Sequence, residues 1–136
     1  MSHPSLPEAL RFYQVAYQRH EDAQILFRNG RNTAAFYFAG FAVECILKAL
    51  LLQNTPKRNQ KEVLESFRGS KAHSFEWLRY RLRLRRVEMP AEIGKRLASI
   101  STWVEERYNP GRKPFADTRA FLASAKTILD WADGRI

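Results

Sequence analysis

The chain has 136 residues, enough for one domain with a full core and no need of disulfides or metals to hold it. Its 45% apolar and 12% aromatic content exclude a disordered chain. The net charge of +9, with sixteen arginines among 23 basic residues, favours polyanionic partners, nucleic acid first; a soluble domain with a basic surface or an acidic protein partner is the equal alternative on charge alone.

The first ten residues, MSHPSLPEAL, lack both the basic and the apolar region of a secretion signal, so a cytoplasmic, reduced protein is expected. Pro7, two residues after Ser5, suits the start of a first helix. From Ala9 to Phe27, Tyr13, Ala16, Tyr17, His20, Ala23 and Phe27 recur at three- and four-residue steps, and Arg11, Gln14, Gln18, Glu21 and Arg28 take the other side. That pattern predicts an amphipathic helix, closed by the C-cap chemistry of Asn29-Gly30.

The next stretch, Ala34–Leu52, is apolar except for Gly40, Glu44 and Lys48. A helix apolar nearly all round is either a core helix or a membrane span. Two charges near mid-bilayer would each cost roughly 2.5–3.5 kcal/mol, which argues against a span. Glu44 and Lys48 stand four apart with Glu first, the favourable helical order. A central core helix with one polar stripe is expected, paired as a hairpin with the first helix. Cys45 inside it reads as a small buried hydrophobe rather than a nucleophile.

After a break at Pro56, Lys61 to Phe67 can hold a short helical turn. Ser74 suits the N-cap of a third helix from Phe75. Residues 79–85 alternate Arg and apolar side chains, a strand pattern, but no second strand exists to pair with it. Phe75, Leu78 and Leu82 make a helical stripe instead, so helix is predicted. Pro90 opens a fourth helix with Ile93, Leu97, Ile100 and Val104 on one face, ending near Glu106. After the loop RYNPGRKP, Asp117 is expected to cap a last helix carrying Phe121, Ala125, Ile128 and Ala132. The prediction is an all-α, up-and-down bundle of four or five helices, a single domain over residues 1–136.

Common signatures are absent: no glycine-rich phosphate loop, no HExxH and no Cys/His cluster of zinc spacing. His3, His20 and His73 are too scattered for a metal site, so neither metal nor cofactor is expected. A helix-turn-helix reader lacks its short glycine-containing turn. The run from Ala34 to Leu51, with Ala42-Val43-Glu44 and Leu47-Lys48-Ala49-Leu50-Leu51, resembles the signature helix of HEPN domains. Arg19, Asp22, Ala23 and Leu26 match that family's first-helix pattern. His73 to Leu78 and Arg107-Tyr108-Asn109-Pro110 are similar to two further family features.

The resemblance implies a small helical bundle, often a symmetric dimer, in prokaryotic toxin–antitoxin or defence modules. It also implies RNA binding or RNA cleavage, and in many members a nucleotidyltransferase partner. Its catalytic members carry an Arg followed four to six residues later by a His, paired across the dimer. His then acts as general base or acid on the ribose 2′-OH and Arg stabilises the charged phosphorane. Arg68 and His73 have that spacing, although chance supplies such a spacing in a chain this rich in arginine, and in the ribonucleases the motif opens a late helix. The other reading of His73 is a satisfied side chain anchoring the loop before the third helix.

Glu44 and Lys48 read equally as an internal ion pair, with Arg19 or Arg107 as further partners, or as the lining of a polar pocket. His20 is expected to pack against the second helix. Arg79 and Arg83, with Arg81, Arg85 and Arg86, can hold phosphates beside Trp77 and Tyr80, but they spread over more than half the helix circumference. Arg107, Tyr108, Arg112 and Lys113 form a denser anion-binding candidate, with a plain surface loop as the equal alternative. Three readings follow: a nucleotide- or RNA-binding homodimer, an endoribonuclease using Arg68 and His73, and a non-catalytic partner docking on an acidic nucleotidyltransferase.

Overall fold

The computed structural model describes Pro4 and residues 6–136; Ser5 and His3 lie outside the described residues. Six α-helices follow in order: α1 Pro7–Arg28, α2 Asn32–Gln53, α3 Gln60–Ser66, α4 Phe75–Leu84, α5 Ala91–Ser99 and α6 Phe115–Asp133. Short 3-10 turns occupy Lys57–Asn59, Ser70–His73 and Trp103–Tyr108, and no strand occurs among the described residues. The chain is an all-α bundle.

Pro7 takes the first position of α1, where its missing N–H costs nothing. Gly30 closes the helix in the left-handed region (φ 75°). There the Arg31 amide donates to Leu26 O (2.8 Å) and that of Gly30 to Phe27 O (3.1 Å), a Schellman closure that turns the chain straight into α2. The arrangement recurs after α4, where Val87 N donates to Leu82 O and Arg86 N to Arg83 O, with Arg86 itself at φ 63°. Ser74 caps α4 by accepting the Trp77 amide.

α2 packs against α1, α6, α4 and the Trp103–Tyr108 turn, with smaller contact to α3. It has the length and composition to cross a membrane, but 83% of its apolar window is covered by the bundle. Its C-terminal carbonyls are satisfied by side chains: Asn54 Nδ2 donates to Leu50 O (2.9 Å) and Thr55 Oγ1 to Leu51 O (2.7 Å).

Two boundaries differ from the sequence pattern. The fourth periodic stretch stops as α-helix at Ser99, not Glu106. Ser99 Oγ donates to Arg96 O (2.6 Å), and the Ser-Ile-Ser-Thr segment gives the backbone alternatives to a further turn. The chain then re-enters as the 3-10 turn that buries Trp103 and leaves Val104 only half-buried. Trp103 seats on Gly40, where a Cβ would collide with the indole. The last helix begins at Phe115 with Pro114 at the cap, so Asp117 lies in the first turn, facing the positive end of the helix dipole.

Candidate functional site

Two centres lie along one stripe of α2. Steps of four, seven and four residues put Thr33, Tyr37, Glu44 and Lys48 on the same face, with Gly40 between them. Trp103 covers Gly40, its ring 5.3 Å from that of Tyr37 and 6.5 Å from that of His73. One centre lies on each side of the indole.

The inner centre is a chain of three charged or chargeable side chains. Lys48 Nζ donates to Glu44 Oε2 (2.8 Å), and both side chains are buried, at 6% and 2% exposure. Glu44 Oε1 receives His73 Nδ1 at 2.8 Å. A carboxylate oxygen only accepts, so Nδ1 carries the hydrogen and Nε2 is the acceptor nitrogen of the neutral ring. The His73 side chain is 45% exposed, so that nitrogen belongs to a reachable ring. The rings of Phe67 and Phe12 stand 5.0 and 5.8 Å from Lys48 Nζ, and Phe75 stacks on Trp103 at 5.8 Å. The 3-10 turn Ser70–His73 and the Ser74 cap carry His73 onto α2. The ion pair expected within α2 is present. Its third member is His73; Arg19 pairs with Asp22 (2.9 Å) instead.

Arg68 stands five residues before His73. It is exposed, and forms no ion pair among the described residues. His20 is buried, with its Nδ1 unpartnered and Gln24 at 3.4 Å from Nε2. Burial first, and Lys126 second, push its pKa down, while Asp130 opposes them. Burial also pushes the Cys45 thiol up to about 12, with Glu44 adding to it and Lys48 and Arg19 opposing, which suits a buried apolar side chain rather than a nucleophile.

The outer centre is a cleft of about 500 Å³ between the first turn of α2 and the 107–112 loop. Arg31, Arg107 and Arg112 line it, all exposed and none paired with a carboxylate among the described residues. Tyr37 and Phe38 supply an apolar wall. Glu106 is the one carboxylate in the lining; Lys113 Nζ offsets its charge at 3.0 Å and Asn109 Nδ2 donates to it at 3.1 Å. The loop is tied to α2 by three bonds: Thr33 Oγ1 donates to Gly111 O (2.6 Å), Lys113 N to Thr33 Oγ1 (3.2 Å) and Asn32 Nδ2 to Lys113 O (2.9 Å). Three arginines thus line a cleft whose loop is fastened to α2.

Of the expected basic residues, Arg107 and Arg112 belong to this cleft, and Tyr108 stands beside it at 82% exposure with Arg107 over its ring at 5.4 Å. Lys113 holds the loop through Glu106. The α4 arginines do not reach the cleft: Arg79 packs its guanidinium over Gly94, Arg81 stacks on Trp77 and donates to Ser66 Oγ, and Arg83 pairs with Glu88 at 3.6 Å. Arg31, Thr33 and Tyr37 are site residues that sequence reasoning missed; the only signal for Arg31 was its place between a Gly turn and a long helix. Among the described residues, no three His, Cys, Asp or Glu side chains gather as metal ligands. No family model, no curated protein and no solved structure matches the chain.

Proposed function

We propose that the chain is a HEPN-like helical bundle that binds nucleotide or RNA through the cleft at the head of α2. The observation that carries this reading is that Arg31, on one side of the cleft, and Arg107 and Arg112, on the other, line it with no carboxylate partner among the described residues. Guanidinium groups bind phosphate in bidentate fashion, and three of them on a fixed frame suit a phosphodiester backbone. The resemblance of α2 to the HEPN signature helix extends the proposal to a cytoplasmic homodimer in a prokaryotic toxin–antitoxin or defence module, beside a nucleotidyltransferase partner. Binding of a labelled RNA, followed by fluorescence anisotropy, tests the core of it. Affinity should fall steeply with salt, at roughly 0.7 decades per decade of salt for each phosphate contact. Arg31→Gln and Arg112→Gln should each weaken binding and reduce that slope. No binding at low salt sinks the reading and favours a protein-docking role.

A second reading has an observation of its own, the 2.8 Å bond between His73 Nδ1 and buried Glu44. In a metal-independent endoribonuclease, His73 Nε2 would take the proton of a ribose 2′-OH. The 2′-oxygen would attack the adjacent phosphorus, the P–O5′ bond would break, and the leaving 5′-oxygen would be protonated by the histidine of a second copy. Arg68 would stabilise the charged phosphorane. Purified protein in EDTA should then produce 2′,3′-cyclic phosphate ends, and His73→Ala should abolish them. Undiminished cleavage by the variant rules the role out.

A further inference from the structure

The five large apolar side chains most exposed in the described chain are Ile25, Tyr80, Leu84, Tyr108 and Phe115. Two of them, Tyr108 at 82% and Phe115 at 62% exposure, flank the cleft loop in sequence: Tyr108 stands between the lining residues Arg107 and Asn109, and Phe115 three residues after Arg112. Phe115 is held in place by stacking on Phe27 (4.9 Å between centroids, 28° between planes), three residues before Gly30 of the cleft lining. Tyr108 is steadied on one face by the Arg107 guanidinium. Both rings are thus supported from one side and open on the rest, which is the condition of a stacking platform. Between them the backbone carries Arg112, with Arg31 opposite.

We infer that the cleft takes a single-stranded polynucleotide, its phosphates on Arg31, Arg107 and Arg112 and its flanking bases stacked on Tyr108 and Phe115. This rests on the nucleotide- or RNA-binding reading above and narrows it. In a duplex the bases stack on one another and their faces are unavailable to side chains, whereas every unpaired base offers a π-face. A mononucleotide would use the arginines and at most one ring. The spread of the two rings, at opposite ends of an eight-residue segment, asks for a ligand that continues past the phosphate site.

The test compares a labelled uridine 12-mer, the deoxythymidine 12-mer and a duplex RNA of the same length, by anisotropy at fixed salt, with uridine monophosphate as competitor. Both single strands should bind well above the duplex, and the monophosphate should compete only weakly. Tyr108→Ala should weaken single-strand binding by roughly five- to a hundredfold, and Tyr108→Phe should restore it. Phe115→Leu, which keeps an apolar contact for Phe27, should weaken it in the same range while circular dichroism and thermal unfolding stay unchanged. Arg31→Gln should weaken all nucleic-acid ligands alike. Equal binding of duplex and single strand, or aromatic variants that bind as the parent does, overturns the inference and leaves phosphate binding standing if Arg31→Gln still weakens it. If Arg31→Gln also changes nothing, or if no nucleic acid binds and an acidic polypeptide does, the broader reading falls too.

Discussion

At the scale of single residues, the buried pair Lys48–Glu44 and the exposed His73 bonded to it set the terms. An ion pair with both side chains at 6% exposure or less gains little over apolar side chains of the same volume, because desolvating two charges offsets their attraction. Removing one partner is different, since it strands the other charge in the core. Lys48→Ala should therefore cost about 3–5 kcal/mol in urea unfolding, while the double replacement Glu44→Leu with Lys48→Met should be near neutral or stabilising. If the double variant is as stable as the parent, stability does not explain the pair, and the hold of Glu44 on His73 is what remains. A double variant as weak as Lys48→Ala would make the pair a structural necessity instead.

At the scale of elements, α1 and α6 are clamped at one end of the bundle. Tyr13 Oη donates to Asp133 Oδ1 (3.0 Å) and Tyr17 Oη to Asp133 Oδ2 (2.7 Å). Burial, and then the hydrogen bonds to Asp133, raise both phenol pKa values above 10.0. The folded state thus holds these protons more tightly than the unfolded chain. Stability from the clamp is complete below about pH 10 and is lost as pH rises through the raised values. Thermal unfolding between pH 8 and 11 should show an alkaline decline that Tyr17→Phe reduces, at the cost of one hydrogen bond at neutral pH. An unchanged decline in the variant would place the alkaline sensitivity elsewhere.

Element boundaries were legible wherever a local residue enforces them. Pro7, Gly30 and Ser74 each act through their own backbone or hydroxyl, and each marks a helix end in the structure. The end of α5 was not legible, because Ile100 and Val104 continue the apolar period past Ser99 while the turn answers to a distant demand, the seat of Trp103 on Gly40. The two centres were half-legible for the same reason. Glu44 and Lys48 pair within one helix, and Arg107 and Arg112 are neighbours in one loop. His73 reaches Glu44 from 29 residues away, and Arg31 meets the 107–112 loop only because Asn32 and Thr33 fasten that loop to α2. Periodicity carries no information about such meetings.

At the scale of the whole molecule, a charge of +9 attracts polyanions from every direction, and attraction alone does not define a site. Field and site can be separated because α2 holds them apart. Arg31 flanks its N-terminus, while Arg58, exposed in the 3-10 turn after its C-terminus, lies at the other end of a helix of 22 residues, roughly 33 Å long. That distance exceeds the Debye length of about 8 Å at physiological ionic strength several times over. Arg31→Gln and Arg58→Gln each lower the net charge by one, so a general electrostatic attraction responds to both alike. A cleft that Arg31 lines responds to the first only. Binding of a labelled single-stranded RNA at about 150 mM salt should weaken several-fold with Arg31→Gln and hold within twofold with Arg58→Gln; at about 10 mM salt, where the Debye length grows to roughly 30 Å, the two variants should draw together. Equal losses at both salt concentrations would mean that the arginines act as a diffuse field and that the cleft has no privileged part in binding.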